Sequence, residues 1–215
     1  MSTLILLRHG QAAFGADHYD QLSPLGEAQA RAAAELFRDR DWHFKRVISG
    51  PRQRQRLTAA LASGRAIDSL DVDPRLDEFA EGSQILAAAE RRAGQPLEGT
   101  ARLKAYMAEI RLWSRGEAII DGVPDADAFR RTVDDWLAAV TADRAPGQRI
   151  LAVTSAGVIA ALLCRVLGQG DGDIAHWMGV LGNGSLTTLL FSGGRVAVRD
   201  INGSGHLPRA LLSGI

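Results

Sequence analysis

The stretch Leu4-Ile5-Leu6-Leu7-Arg8-His9-Gly10-Gln11 decides how this chain is read. Four consecutive apolar residues suit a strand buried on both faces of a sheet. The run then stops on a cation, an imidazole and a glycine. An arginine at a buried strand end needs an anionic partner. Gly10 permits a sharp turn or a close approach to a ligand. Ligands of open α/β sheets bind at the carboxyl ends of the strands. Arg8 and His9 are therefore expected to floor an anion-binding site. The bland alternative is a surface ion pair beside a solvated histidine.

Outward from that strand, the pattern alternates. Gln11 to Gln21 is polar and irregular, with Gly15, Asp17 and a solvated His18, and reads as a loop. Ser23-Pro24 opens a helix as N-cap and first helical residue, and Ala28, Ala32, Leu36 and Phe37 stripe it to about Arg38. Val47-Ile48-Ser49 is a short strand broken by Gly50-Pro51, and a helix follows over Arg52 to Ala62. Asp71 to Leu76 reads as a short strand or extended segment leading to Asp77-Glu78-Phe79. From Ser83 to Asp143 the periodicity is helical, with turns at Gly94-Gln95-Pro96, Gly116 and Gly122 to Asp125. Arg149 to Thr154 is a second buried strand, ending at Ser155-Ala156-Gly157 before an apolar helix over Val158 to Leu167. Gly182-Asn183-Gly184 is a turn, and Ser185 to Phe191 with Val196 to Ile201 form a hairpin around Gly193-Gly194.

Strands alternating with helices predict an α/β fold. The expected architecture is a three-layer sandwich: a mostly parallel central sheet, helices on both faces, and a C-terminal antiparallel hairpin. The whole chain, 1–215, reads as one domain with 83–143 as a helical cap insertion. Its 215 residues suffice for one well-cored domain. Lys+Arg and Asp+Glu are both 25, giving zero formal charge, which argues against broad nucleic-acid or anionic-membrane binding. Lys45 and Lys104 are the only lysines, so arginine carries the positive charge. Cys164 is single and lies in an apolar helical run, so neither an internal disulfide nor a zinc signature exists. No metal and no cofactor is expected. No secretory leader or long apolar span is visible, which predicts a cytoplasmic protein. The edge hairpin could support a homodimer.

Two further constellations bear on chemistry. Ser49-Gly50-Pro51, followed by Arg54 and Thr58, again lies where a strand turns into a helix, a place that favours an anion. Arg54 can add a bidentate clamp, although three arginines in Arg52, Arg54 and Arg56 also suit a solvated face. Glu78 supplies a carboxylate; by itself it is indistinguishable from a surface glutamate.

Taken together, five segments resemble the histidine phosphatase superfamily, which includes phosphoglycerate mutases and small phosphatases. LLRHGQ resembles its N-terminal Arg-His-Gly signature. LSPLGEAQA (Leu22 to Ala30) resembles its Leu-Thr/Ser-x-x-Gly-x-x-Gln-Ala segment. SGPRQRQRLTAA (Ser49 to Ala60) resembles its Ser-Pro-Leu-x-Arg-Ala-x-x-Thr-Ala helix start. LDEFAEG resembles its Leu-x-Glu…Glu-Gly stretch, and VTSAGVIAALL its second catalytic turn. The resemblance implies that His9 is a nucleophile forming a phosphohistidine. Arg8 and Arg54 would hold the phosphoryl oxygens, and Glu78 would serve as general acid and base. At the second turn the family has a histidine where this chain has Ser155, so Ser155 and Gly157 are expected to bind phosphate in its place. His206 is expected to be structural, and of the other histidines it is the best candidate for a substitute donor. His43 is expected at the far end of the sheet, and His176 as a packed helical residue. The implied activity is hydrolysis of small-molecule phosphate monoesters. The alternative is a degenerate phosphate-binding or regulatory protein of the same fold; a mutase is disfavoured because it needs the second histidine.

Overall fold

In a computed structural model describing residues 1–13, 20–142, 145–170 and 172–214, Leu4 to Leu7 are fully buried in β1 (Ser2–Arg8). Alternation divides their burial between two layers. Leu4 and Leu6 pack with Ile150, Ala152, Ile159 and Trp113 on one face; Ile5 and Leu7 pack with Val47, Leu151, Ala33 and Ala59 on the other. The sandwich follows from this one strand having no polar face.

The six-stranded sheet runs β3-β2-β4-β1-β5-β6. β2 (Arg46–Ser49), β3 (Asp71–Val72), β4 (Arg149–Thr154) and β1 are parallel, while β5 (Leu186–Ser192) and β6 (Arg195–Gly203) add the antiparallel edge. Helices α1 (Pro24–Asp39) and α2 (Gln53–Ser63) cover one face. The other carries α3 (Gly82–Ala93), α4 (Gly99–Ser114), α5 (Ala126–Thr141), α6 (Ala156–Leu167) and α7 (Asp173–Met178). The chain leaves β1 toward one face and β4 toward the other. The crevice between these two strand ends is a switch point of the kind at which α/β sheets bind ligands.

Local chemistry sets the boundaries. Ser23 Oγ accepts the Gly26 N–H at 3.1 Å and caps α1 as expected. Asp125 caps α5 by accepting the Ala128 N–H at 2.6 Å. α6 begins at Ala156, two residues before the apolar run, because Ser155 is extended and serves as N-cap. The expected strand over Asp71 to Leu76 is shorter: Pro74 converts its second half to a 3₁₀ turn, Pro74–Leu76.

The helices over 82–141 share the core of the sheet. Phe79 stacks on Trp113 with ring centroids 4.0 Å apart, Phe129 packs on both rings, and the Trp113 indole donates to the Pro124 carbonyl at 2.9 Å. Ile85, Ile110 and Val133 join the same cluster as Leu4 and Leu6. Among the described residues no helix is long and apolar enough to cross a membrane. His18, Gly15 and Asp17 of the first loop, and Asp143 at the end of the cap, lie outside the described residues.

Candidate active site

The parallel register aligns three strand ends. Arg8 is paired with Thr154, so His9 and Ser155 follow neighbouring strands side by side, and Ser49 is paired with Val153. The His9 N–H donates to Thr154 O at 2.9 Å and the Gly50 N–H to Val153 O at 3.0 Å. The ladder thus continues to the point where side chains turn into the crevice.

His9 is buried and held from several sides. Its Nδ1 is 2.8 Å from the Gly10 carbonyl, which can only accept, so Nδ1 carries the proton. Nε2 then keeps its lone pair and accepts from Arg54 Nε at 3.3 Å. Burial, followed by the guanidinium groups of Arg54 and Arg8, pushes the ring well below the ordinary histidine value of 6.5. Asn183 Nδ2 donates to the His9 carbonyl at 3.2 Å. The Gly10 N–H donates to Thr58 Oγ1 at 3.1 Å, and that hydroxyl donates to Arg54 O at 2.7 Å. Thr58 therefore couples the His9 turn to the helix that carries Arg54. Gly10 and Gly26 are required for this closeness: a Cβ on Gly10 would lie 2.3 Å from the Gly26 carbonyl oxygen.

Arg8 donates through Nη1 to the Leu181 carbonyl, which turns its guanidinium to the crevice. Arg54 donates through Nη1 to Asp20 Oδ1 at 2.9 Å, while Asp20 Oδ2 accepts the Gln53 N–H at 2.8 Å. Asp20 thereby orients Arg54 and satisfies an N-terminal amide of α2. Arg52 turns away from the crevice. It pairs with Asp77 and Glu81 and donates to the Glu78 carbonyl at 3.2 Å, pinning the segment that bears Glu78. Arg56 faces Asp68.

Glu78 borders the same crevice. Its Oε2 accepts the Gly157 N–H and its Oε1 the Phe79 N–H, both at 3.1 Å. Burial raises the carboxyl above its ordinary 4.5, against the two amide bonds, which favour the anion. Gly157 has no room for a side chain: a Cβ there would stand 2.0 Å from Glu78 Oε1. The crevice bounded by Arg8, His9, Arg54, Glu78 and Asn183 is a cavity of about 100 Å³.

Two expected phosphate ligands are placed elsewhere. Ser155 is fully buried, and its Oγ accepts from Gln55 Nε2 at 2.8 Å. Gly157 donates its N–H to Glu78. Both support the site from behind; neither lines the crevice. Side-chain packing decides this, because Gln55 reaches into the space beside Ser155. The other described histidines, His43, His176 and His206, also lie apart. His206 is half-buried and bonded at the Gly184 backbone, with its ring pushed below 6.5 by burial. His43 is exposed and 3.0 Å from Asp41. His176, expected to be packed, is exposed on α7 with its ring edge on Trp177. Cys164 is buried and its thiol pushed up to about 11 by desolvation. Among the described residues no group of three His, Cys, Asp or Glu side chains could hold a metal ion.

Asp20, Gln55 and Asn183 were not legible as site residues. Asn183 had a signal, an asparagine between two glycines at a strand start, but that pattern reads first as a turn.

This geometry agrees with the comparisons. The family model of histidine phosphatase superfamily, branch 1, matches residues 4–204, and the chain belongs to that superfamily. Comparison with curated proteins returned no match. Among solved structures, a phosphoserine phosphatase from Entamoeba histolytica in complex with 3-phosphoglyceric acid is similar over 97% of this chain and 100% of that one, with 20% identity and a TM-score of 0.71. A putative α-ribazole-5′-P phosphatase from Escherichia coli is similar over 94% and 98%, at 20% identity and TM-score 0.70. A mycobacterial glucosyl-3-phosphoglycerate phosphatase, solved with VO3, is similar over 94% and 99%, at 25% identity and TM-score 0.67.

Proposed function

We propose that this protein hydrolyses phosphate monoesters through a phosphohistidine on His9. One observation carries the reading. A neutral imidazole with Nδ1–H tied to a carbonyl directs its Nε2 lone pair toward Arg54, in one crevice with Arg8 and Glu78.

Nε2 attacks phosphorus, and the bond from phosphorus to the ester oxygen breaks. Protonated Glu78 gives its proton to the departing oxygen. Arg54 and Arg8 supply positive charge to the equatorial oxygens as the transition state forms. Glu78, now ionised, takes a proton from water as that water attacks the phosphohistidine and frees phosphate and His9. The resemblance to vanadate-bound and phosphatase neighbours supports hydrolysis over transfer.

Incubation of the full chain with a chromogenic phosphate ester should give turnover and an acid-labile phosphoenzyme, both absent in His9→Ala. Turnover that survives His9→Ala refutes the covalent mechanism. A second reading, phosphate binding without turnover, draws support from the burial of Ser155, which leaves the end of β4 with no side-chain donor in the crevice. Saturable vanadate binding with no hydrolysis at any pH is the outcome that selects it.

A further inference from the structure

The charges around the crevice are unevenly distributed. Its cations among the described residues, Arg8 and Arg54, both lie at the floor beside His9. Around the floor the described lining comes mainly from Ala12, Ala80, Gly82, Tyr106, Ala156 and Met178, with the uncharged amides of Gln11 and Asn183 as its polar members. The five cap arginines that could have reached a second anion do not border the crevice. Arg91 is 3.1 Å from Asp121, and Arg92 bonds the buried Glu109 at 2.8 and 3.0 Å. Arg102 and Arg111 are exposed, and the Arg115 guanidinium lies against Gly172. Among the described residues the acid at the crevice is Glu78.

We propose that the crevice selects phosphate monoesters of uncharged apolar or aromatic alcohols and discriminates against esters that carry a second anion near the ester oxygen. The proposal rests on the phosphatase reading. A carboxylate on the leaving group would exchange water largely for methyl, thioether and ring carbons, with no cation among the described wall residues to compensate. It would also face Glu78 after that residue has given up its proton, a like-charge contact that opposes product formation. An aromatic or alkyl group meets no such cost and gains contact with Tyr106 and Met178. This separates the chain from relatives named for phosphoserine and glucosyl-3-phosphoglycerate, whose substrates carry carboxylates.

The test compares benzyl phosphate with phosphoserine and 3-phosphoglycerate on the purified full chain. The benzyl alkoxide is no better a leaving group than the serine alkoxide, so intrinsic reactivity does not favour it. The expected kcat/KM for benzyl phosphate is about tenfold or more above either anionic ester, the lower end of the discrimination that an apolar pocket supplies between related substrates. Tyr106→Arg places a cation on the wall and should narrow that ratio; if the variant does not fold, the wild-type comparison decides. Equal or faster hydrolysis of the carboxylate-bearing esters overturns the substrate assignment and leaves the phosphatase reading intact. Failure to hydrolyse any of the three, with chromogenic esters also inert, overturns the phosphatase reading and this proposal with it.

Discussion

Restoring a histidine at position 155 should fail unless Gln55 is changed with it. Ser155 follows β4 as His9 follows β1, so Ser155→His is the obvious way to add a phosphoryl donor. The space beside it is filled. Gln55 is fully buried; its Nε2 donates to Ser155 Oγ at 2.8 Å and to Leu76 O at 3.1 Å, and its Oε1 accepts the Arg52 N–H at 3.0 Å. An imidazole must displace this carboxamide. Overpacking costs about 1–3 kcal/mol, and each hydrogen bond left unmade in the interior about 1–3 kcal/mol more. Ser155→His alone should therefore destabilise by roughly 2–5 kcal/mol, a large part of a domain's total stability. Gln55→Ala alone should also destabilise, by about 2–4 kcal/mol through a cavity and lost bonds. Leu76 O would keep its bond from Thr154 Oγ1 at 2.7 Å, which limits the damage.

In the double variant the imidazole enters the vacated volume. The two changes should couple favourably, by at least about 1 kcal/mol in a double-mutant cycle read from urea midpoints. Phosphatase turnover should rise above wild type, toward the roughly hundredfold that one preorganised donor supplies. A Ser155→His variant as stable as wild type, or a double variant whose destabilisation is merely additive, refutes the assignment of Gln55 as the occupant of that space.

Other consequences follow from the same contacts. Gly157→Ala places a Cβ 2.0 Å from Glu78 Oε1 and 2.9 Å from a ring carbon of the buried Phe79; the carboxylate must move and the ring must shift, so kcat should fall by about a hundredfold and stability by about 1–3 kcal/mol in urea midpoints. Unchanged kcat would show that Glu78 needs no bond from this turn. Gly10→Ala meets backbone instead, 2.3 Å from Gly26 O, and should cost about 1–3 kcal/mol or more in stability, measured by denaturation. Burial and two arginines hold His9 well below 6.5, so between that depressed value and 6.5 the unfolded chain binds a proton that the folded chain refuses. Stability should fall as pH drops through this window and level off below it; His9→Asn should lack that component in urea midpoints collected across pH, and an identical pH slope would refute the assigned ring state.

Much of the fold could be read in sequence because its main strands have unambiguous patterns. Leu4 to Leu7 has no polar face, and such a strand is stable only between two layers. The N-cap of α1 and the positions of Arg8 and His9 also follow from short-range signals, since the two residues sit where a buried strand gives way to a turn; Arg54 and Glu78 stood out only through the family resemblance. Pro74 shortened the third strand, and its effect was legible in principle.

What tertiary structure alone decided was the partner of each polar group. Sequence spacing cannot show that Gln55 reaches Ser155 across 100 positions, or that Gly157 supports Glu78 rather than a ligand. Nor can it separate Arg54, aimed at His9, from Arg52, two residues away and bound to Asp77 and Glu81. Those outcomes depend on direction within a helix turn and on long-range packing. The sequence by itself determined that an arginine and a histidine close a buried strand. The tertiary structure determined which ring nitrogen keeps its lone pair, because only there do the Gly10 carbonyl and the Arg54 guanidinium meet the same imidazole.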